Sequence, residues 1–447
     1  MAPARPPLAG RALGPSLSVP FLLLVCGFLA FGAIGMPVGL AMLNAGLLYL
    51  IVSGQDVALA AEQILNGLRS SFVLLAVPLF IFSAAVMTAG TISERLLDFC
   101  LALVGRFRGG LAHVNVVASL IFSGMSGSAI ADAAGIGRVL IDLMRRENRY
   151  SAGFAAAITA ASATIGPIIP PSIPMVLYAL VSDTSVGYLF LGGVVPGIVM
   201  AGALMATVAV IARRRRFPVE RPVPARELPR VTLRAIPALM LPVILLGGIY
   251  GGAVTPTEAA AVAAAYALLL ACFFYRTLGL RRLLGVLVES TRSTGIVTLV
   301  IAGAFVFNYI IATEQIPNLL GAWLASFQLD PTLFQLLVAV VFLLLGCLLD
   351  TTTMLLVLVP LILPALRAME VDLVHFGVTI TVNMMIGLVT PPYGVLLFVI
   401  NGLTGIPLRE MVREIWPLIG VLIGALVLMI VVPDIVLWLP RQFGYRG

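Results

Sequence analysis

The chain has 447 residues, of which 61% are hydrophobic and 11% are charged, and its mean hydropathy is +1.11. A soluble domain averages about 25% charged residues. This composition therefore excludes a soluble protein and predicts a polytopic membrane protein. The formal net charge of +7 is spread over short connections rather than gathered in one basic patch. We therefore expect the chain to contact a lipid bilayer and no nucleic acid.

Apolar segments follow one another from Val19 to the C-terminus. In the first half they predict three spanning helices, a long apolar stretch with a polar centre, a proline-interrupted helix and a last helix, at about 17–34, 36–52, 71–90, 111–146, 152–182 and 187–212. Residues 213–234 are polar and predict a cytoplasmic linker. The second half repeats this order, with a polar-centred stretch at about 332–366 and an interrupted helix at about 374–400.

An internal repeat relates residues 1–212 to residues 235–447. Ile165-Gly166 with Pro170-Pro171 recurs as Ile386-Gly387 with Pro391-Pro392, a shift of 221 residues (386 − 165). Weaker matches with shifts of 219 to 223 pair Val19-Pro20 with Leu241-Pro242, Pro37 with Pro256, and Arg69 with Arg292. If each polar-centred stretch is a re-entrant hairpin, each half crosses the membrane five times, and this odd number inverts the second half.

The placement of the arginines supports this topology. Arg213 to Arg216 form a run that the positive-inside rule places in the cytoplasm. Tracing the helices outward from this run puts 21 of the 27 basic residues on the cytoplasmic side and 6 outside. The sequence thus predicts an all-α polytopic membrane protein with two inverted repeats, two re-entrant hairpins and two discontinuous helices. Both termini are expected in the periplasm.

Prolines interrupt one helix in each half. The segment Thr164 to Tyr178 reads TIGPIIPPSIPMVLY and contains four prolines. A proline inside a helix removes a donor and frees a carbonyl one turn earlier, and irregular backbone at membrane depth is tolerated where it lines a cavity. We therefore expect unwound breaks with free carbonyl oxygens at 166–171 and 387–392. The alternative is a pair of proline kinks that serve packing alone.

The centres of the two predicted hairpins are polar. Ser123 to Asp132 reads SGMSGSAIAD, and Gly346 to Thr353 reads GCLLDTTT. A glycine precedes the Pro-Pro pair by nearly the same distance in both halves, 46 residues from Gly124 to Pro170 and 45 from Gly346 to Pro391. We therefore expect each hairpin tip to meet the helix break of its own half.

Several polar residues in apolar segments are candidates for function. A charge at mid-membrane costs about 2.5–3.5 kcal/mol on insertion scales, which makes Asp132 and Asp350 functional candidates; their alternative role is to cap the hairpin tips. Hydroxyls and freed carbonyls together suit a hard monovalent cation such as Na⁺, whereas half-helix N-termini attract an anion. The combination predicts cation-coupled transport of an organic anion.

Other polar residues have simpler interpretations. Glu258 in the segment TPTEA opens a helix and is interpreted as a cap. Asn308 and Asn383 lie in spans and are expected to bond across helices, with Asn383, three residues before the second break, the better candidate for the site. His113 and His375 are given no proton-relay role.

At these residues the chain resembles a known family of transporters. The similarity is carried by Gly35 to Gly39, Ala76 to Phe82, Ser123 to Asp132, Phe154 to Ala157, Thr164 to Pro174, Thr255 to Ala260 and Thr390 to Pro392. These motifs resemble those of the large membrane subunit, the DctM type, of the tripartite ATP-independent periplasmic (TRAP) transporters. The resemblance extends over nearly the whole chain.

The resemblance implies an elevator-type secondary transporter of the bacterial inner membrane, not an enzyme. It implies import of an organic acid anion, such as a C4-dicarboxylate, keto acid or sugar acid, driven by a Na⁺ gradient. The substrate would come from a separate periplasmic binding protein. A small four-helix membrane subunit would be a second partner, expected here as a separate chain.

The resemblance also implies site residues. A first sodium site would use hydroxyls and carbonyls of Ser123, Ser126, Ser128, Gly166, Ile169 and Pro171. A second would use Asp350, Thr351, Thr352, Gly387, Thr390 and Pro392. The substrate would lie between the hairpin tips, and the residues expected near it are Ser128, Asp132, Ser172, Asp350 and Asn383.

Three other functions share some of these features. A Na⁺-coupled or H⁺-coupled carrier of divalent anions that needs no binding protein would also have hairpins and broken helices. An intramembrane aspartyl protease would bury two aspartates, but the Tyr-Asp and Gly-x-Gly-Asp settings of that chemistry are missing from the sequence. A channel would lack a saturable flux that depends on a sodium gradient.

Overall fold

The structure is a computed structural model that describes residues 18–90, 92–146, 149–219, 224, 226–325, 329–347 and 349–447. Parts of the predicted first helix, linker and second hairpin tip lie outside these ranges. The described residues are helical throughout, apart from connections and one isolated bridge between Arg108 and Val219. Seven of the described helices are long and apolar enough to span a bilayer. The all-α, multi-pass prediction is therefore confirmed.

The helices of the first half follow the predicted order. They are Val19–Ala33, Val38–Val52, Ala58–Ser70, Phe72–Leu75 continuing as Ala76–Ala89, Ile92–Val104, Gly110–Ser126, Ala129–Asp132, Ala133–Gly137, Arg138–Arg145, Ala152–Ala163, Ile173–Ser182 and Val186–Arg215. The segment Ala133–Gly137 is a π-helical turn. We call Gly110–Ser126 and Ala129–Arg145 the outgoing and returning arms of the first hairpin. Ala152–Ala163 and Ile173–Ser182 are the two parts of the first interrupted helix.

The second half repeats this arrangement. Its helices are Leu228–Tyr250, Pro256–Leu269 continuing as Leu270–Phe274, Leu280–Thr313, Ile316–Ala325, Pro331–Gly346, Thr351–Thr353, Met354–Leu358, Val359–Ala368, Leu373–Gly387, Val395–Thr404, Leu408–Val431 and Asp434–Gln442. Here the arms of the second hairpin are Pro331–Gly346 and Thr351–Ala368, with a π-helical turn at Met354–Leu358. The second interrupted helix comprises Leu373–Gly387 and Val395–Thr404. The π-helical turns of the two hairpins begin 221 residues apart (354 − 133).

Some helices were not predicted from the apolar segments. Ala58–Ser70 and Ile92–Val104 connect spanning helices in the first half, and Asp434–Gln442 ends the second. Each carries charged residues among its apolar ones, so its sequence lacks the continuous apolar run used to identify a span. Helices also enter the predicted linker from both sides, since one ends at Arg215 and the next begins at Leu228.

One local prediction concerned the start of Pro256–Leu269. The Thr255 N–H donates to Glu258 Oε2 at 2.7 Å, and the Glu258 N–H donates to Thr255 Oγ1 at 3.3 Å. This reciprocal pair is a capping box, which satisfies two donors that the first turn of a helix leaves free. The interpretation of Glu258 as a helix cap is confirmed.

Six helices pack mainly on one another, and we call them the outer bundle. Its members are Val19–Ala33, Val38–Val52, Ala76–Ala89, Leu228–Tyr250, Pro256–Leu269 and Leu280–Thr313. Helices of the two halves alternate within it: Leu280–Thr313 packs on Val38–Val52 and on Ala76–Ala89, and Pro256–Leu269 also packs on Ala76–Ala89. The halves are therefore joined through this bundle rather than standing side by side.

An inner core contains both hairpins and both interrupted helices, together with Val186–Arg215 and Leu408–Val431. The outgoing arm of each hairpin packs on the first part of its own interrupted helix. The second parts cross over. Ile173–Ser182 packs on the returning arm of the second hairpin, and Val395–Thr404 packs on the returning arm of the first hairpin and on Ala152–Ala163. Each candidate site thus rests on residues from both halves.

Candidate functional site

The tip of the first hairpin is a two-residue turn, Gly127 and Ser128, between its two arms. Gly127 has left-handed backbone conformation (φ 60°), which favours glycine. The Ser128 hydroxyl caps the returning arm by accepting a hydrogen bond from the Ala131 N–H at 3.4 Å. A Cβ atom at Gly127 would overlap the carbonyl oxygen of Pro171. The tip therefore lies directly against the helix break, as predicted.

The first break is closed off from solvent over most of its length. Ser172 begins the second part of the interrupted helix, where its hydroxyl accepts from the Met175 N–H at 3.2 Å and donates to the Pro167 carbonyl. The Pro170–Pro171 peptide bond is cis. Among the described residues no donor reaches the carbonyl oxygens of Gly166, Ile169 and Pro171. The predicted free carbonyls are therefore present in this half.

Asp132 lies behind the tip and has only 1% of its surface exposed. Its Oδ1 accepts a hydrogen bond from the Ser126 hydroxyl. Its Oδ2 is buried without a hydrogen-bond partner among the described residues. A Cβ atom at Gly166 would overlap this second oxygen, so the carboxylate points at the backbone of the break. The structure thus brings together Ser126, Asp132 and the break, whereas Asp132 is not open to a substrate in this conformation.

A buried polar network holds the outgoing arm of the first hairpin to the interrupted helix. Asn115 Nδ2 donates to Thr159 Oγ1 at 2.6 Å, and its Oδ1 accepts from Ser162 Oγ at 3.0 Å. Ser119 Oγ donates in turn to Ser162 Oγ at 3.0 Å. The links run from Asn115 and Thr159 to Ser119 and Ser162, which lie one turn further along their helices. The network therefore fixes the register between hairpin and break.

We expect Asn115→Ala to lower the free energy of unfolding by about 1–2 kcal/mol, because the substitution leaves the Thr159 and Ser162 hydroxyls short of a buried partner. The change appears as a lower melting temperature of the detergent-solubilised protein. Asn318→Ala is the matched control, since that side chain is exposed and, among the described residues, bonds only to Gln315. Equal melting temperatures for the two variants would show that the network contributes nothing.

The second hairpin tip also contacts its own break. The Cα atom of Gly387 lies 3.5 Å from where a Cβ atom of Gly346 would be, so the two backbones touch. The Cys347 thiol donates to the Leu343 carbonyl at 3.2 Å, and its Sγ atom also lies 3.9 Å from the Pro391 carbonyl oxygen. The meeting of tip and break is therefore confirmed in the second half as well.

Asp350 begins the returning arm of the second hairpin. Its Oδ2 accepts from the Thr353 N–H at 3.0 Å, and its Oδ1 accepts from the Thr353 hydroxyl at 2.5 Å. Both carboxylate oxygens are thus bound by one residue, one turn along the arm. This geometry matches the capping role that the sequence left open. Thr351 and Thr352 follow Asp350 and are half-buried at the tip.

The second break is more open than the first. Pro392 and Tyr393 are exposed, Tyr393 to 56%, and the Tyr393 ring contacts that of Phe398 with centroids 5.2 Å apart. The Pro391–Pro392 peptide bond is cis. The Gly387 carbonyl accepts from the Thr390 N–H at 3.1 Å, but no described donor reaches the carbonyls of Thr390 and Pro392. The predicted free carbonyls are therefore only partly present here.

Two further predicted residues serve nearby contacts in this conformation. The Ser123 hydroxyl donates to the Leu120 carbonyl at 2.6 Å and lies one turn before the tip. Asn383 Nδ2 donates to the Ala339 carbonyl at 2.8 Å and ties the second interrupted helix to its hairpin, although Asn383 Oδ1 has no partner among the described residues. The predicted bond of Asn308 across helices is also present, to the Leu356 carbonyl at 3.0 Å.

Sequence reasoning missed Thr353, Cys347 and Tyr393. The 221-residue shift of the repeat carries a signal for two of them, because it aligns Cys347 with Ser126 (347 − 126) and Tyr393 with Ser172 (393 − 172). A thiol and a phenol thus replace two of the hydroxyls of the first half.

The donor set of the first tip fits a sodium ion. One oxygen of Asp132 accepts from the Ser126 hydroxyl, and the other has no described partner and lies beside Gly166. The Pro171 carbonyl oxygen, which no described donor reaches, lies beside Gly127. Hard oxygen ligands of this kind suit a hard cation. Three residues of the predicted first sodium site, Ser126, Gly166 and Pro171, would hold it at this contact between tip and break.

Comparison with known proteins decides the family. The sequence model of the family described as "Tripartite ATP-independent periplasmic transporter, DctM component" matches residues 25–435. The chain belongs to this family. TRAP large permeases are transporter subunits and not enzymes, and the chain is a large permease subunit of this kind.

Individual TRAP relatives match over almost their whole length. The chain is 41% identical over 423 residues to the sialic acid TRAP transporter large permease protein SiaM of Vibrio cholerae, covering 94% of this chain and 99% of that protein. It is 39% identical over 402 residues to the C4-dicarboxylate TRAP transporter large permease protein DctM of Pseudomonas aeruginosa, covering 90% and 94%.

A solved structure shares the fold of this TRAP permease. The Alcanivorax borkumensis YdaH transporter aligns with a TM-score of 0.55 and 16% sequence identity, covering 82% of this chain and 88% of that one. At this identity the similarity concerns the fold alone.

Proposed function

We propose that the protein imports an organic acid anion across the bacterial inner membrane by secondary active transport driven by a Na⁺ gradient. The substrate class is a carboxylate such as a C4-dicarboxylate, keto acid or sugar acid, in keeping with the names of SiaM and DctM. A periplasmic binding protein delivers the substrate, and a small four-helix membrane subunit, a separate chain, completes the transporter. Both termini lie in the periplasm.

One observation carries the proposal: each half builds a unit in which a hairpin tip touches a helix break. In the first unit, free carbonyl oxygens and the Asp132 carboxylate suit a cation. The second parts of both interrupted helices begin at these breaks, so the positive ends of their dipoles favour an anion there. Cation and anion sites built side by side support coupled transport.

The division into two groups of helices supports an elevator mechanism. Both units lie in the inner core, and the crossed packing of Ile173–Ser182 and Val395–Thr404 ties them into one body. The outer bundle contains neither tip nor break. We propose that the inner core carries cation and substrate across the membrane while the outer bundle stays in place.

The test is uptake into proteoliposomes that contain this chain and its small subunit. The probe acids are succinate and N-acetylneuraminate, each added with and without the cognate binding protein. We expect saturable uptake of one acid only when the binding protein is present and Na⁺ is higher outside than inside. In the control, a K⁺ gradient of the same size replaces the Na⁺ gradient.

The other outcomes separate the alternatives. Uptake without the binding protein would favour an independent Na⁺-coupled or H⁺-coupled carrier of divalent anions. Uptake that follows a pH gradient and ignores Na⁺ would overturn sodium coupling. A flux that does not saturate would indicate a channel. A wider panel of carboxylic acids, screened by thermal stabilisation of the binding protein, identifies the substrate.

A further inference from the structure

The returning arm of each hairpin has a carboxylate and a hydroxyl at the same two positions, its cap and the residue before its π-helical turn, but in opposite order. In the first half, Ser128 caps the returning arm and Asp132 stands immediately before the π-helical turn. In the second half, Asp350 is the cap and Thr353 stands immediately before the π-helical turn. The repeat has therefore exchanged the positions of acid and hydroxyl, and the two tips are not chemically equivalent.

The carboxylate of the second tip has no free oxygen. Both oxygens of Asp350 accept hydrogen bonds from Thr353, one from its N–H and one from its hydroxyl. Asp350 is also half-buried rather than sealed in the core. Two hydrogen-bond donors and solvent thus stabilise the Asp350 carboxylate, as is usual for an acidic helix cap.

The carboxylate of the first tip is half satisfied. Ser126 occupies Oδ1, whereas Oδ2 is buried, has no donor among the described residues and faces the backbone at Gly166. No salt bridge to Asp132 is found in the described part of the chain. A buried carboxylate oxygen without a donor or a positive partner is strongly unfavourable, so this oxygen must bind either a proton or a cation.

We propose that Asp132 ligates the cation at the first tip directly through Oδ2, with Ser126 holding the other oxygen in place. The first cation site thus has a negatively charged ligand. The second is formed by neutral oxygens from threonines and carbonyls, with Asp350 acting as the cap of its tip. This inference rests on the Na⁺ coupling proposed above and transfers Asp132 from the predicted substrate ligands to the cation ligands.

A purely structural Asp132 makes a different prediction. If the carboxylate only ties the tip by accepting from Ser126, an asparagine can do the same through its amide oxygen. If Oδ2 ligates a cation, asparagine retains the Ser126 bond and loses the charge. Asp132→Asn therefore separates the two roles with almost no change in shape.

The experiment measures Na⁺ binding without transport. The full chain, purified in detergent with its small subunit, is titrated with NaCl against choline chloride at constant ionic strength, and its melting temperature is followed. We expect the Na⁺ concentration at half-maximal stabilisation to rise more than about tenfold in Asp132→Asn, because a buried charged partner is lost. Asp350→Asn should shift it less.

Two further variants guard the interpretation. Asp372→Asn is the matched control, an acid that caps the second interrupted helix away from both tips and accepts from His375 N–H and the Tyr445 hydroxyl. Its titration should equal that of the wild type. Gly166→Ala places a methyl group where Oδ2 lies and should weaken Na⁺ stabilisation while keeping the carboxylate, which covers the case that Asp132→Asn does not fold.

The outcomes are distinct. If Na⁺ stabilises the wild type, Asp132→Asn and Gly166→Ala at the same Na⁺ concentration, Asp132 is not a cation ligand. That result leaves the proposed function unaffected. A larger shift in Asp350→Asn than in Asp132→Asn also overturns it, since the charged ligand would then be at the second tip. If the wild type melts cooperatively but its melting temperature does not rise with Na⁺, both sodium coupling and this inference are overturned.

Discussion

Gly127→Val is expected to reduce uptake to background while the protein still inserts into the membrane. A β-branched residue in the left-handed conformation of Gly127 costs about 1–3 kcal/mol in backbone strain alone. The new Cβ atom also overlaps the Pro171 carbonyl oxygen, so the tip must move away from the break to accommodate it. The measurement is initial uptake into proteoliposomes, normalised to inserted protein.

The matched control is Gly202→Val in the helix Val186–Arg215. This glycine is exposed, and a Cβ atom there would meet nothing within 4 Å. Its uptake should stay at the level of the wild type, so a loss confined to Gly127→Val reflects the contact between tip and break. Uptake by Gly127→Val at the wild-type rate would show that this contact is not needed for transport.

Asp350→Ala is expected to abolish Na⁺-driven uptake as well. Alanine removes both acceptors of the Thr353 N–H and hydroxyl, at a typical cost of about 0.5–2 kcal/mol for a lost helix cap, and frees the tip that touches Pro391. Asp350→Asn should retain a measurable share of uptake, because an amide oxygen still accepts one of these bonds. Uptake is compared under equal Na⁺ gradients.

Asp330→Ala provides the control for capping in general. Asp330 caps the outgoing arm of the same hairpin by accepting from the Thr332 N–H at 3.0 Å, but it lies at the opposite end from the tip. This variant should melt at a lower temperature and still transport. Normal uptake by Asp350→Ala would remove Asp350 from the site, and equal loss in Asp350→Ala and Asp350→Asn would show that the charge is required.

The sequence predicted those features that depend on local chemistry. Prolines and glycines determine backbone conformation within a few residues, so the breaks at 166–171 and 387–392 could be located without a structure. The cap at Glu258 is equally local. The meeting of tip and break followed from two similar spacings in a repeat, and both contacts are present, at Gly127 with Pro171 and at Gly346 with Gly387.

The features that the sequence did not predict depend on packing between distant segments. The inequivalence of Asp132 and Asp350 follows from which donors reach each carboxylate, and both stand in similar polar runs in the sequence. The exposure of Tyr393 depends on what covers the second break. Ala58–Ser70 and Ile92–Val104 are short and carry charges, so hydropathy alone did not reveal them.

The crossed packing of the inner core affects how the protein is made. Ile173–Ser182 is synthesised early, but the returning arm of the second hairpin, on which it packs, begins 178 residues later (351 − 173). Contacts of such sequence separation form slowly, and incomplete chains leave helix surfaces uncovered. Part of the first half therefore lacks its packing partner until the second hairpin has been synthesised. A chain truncated before the second hairpin cannot form these contacts.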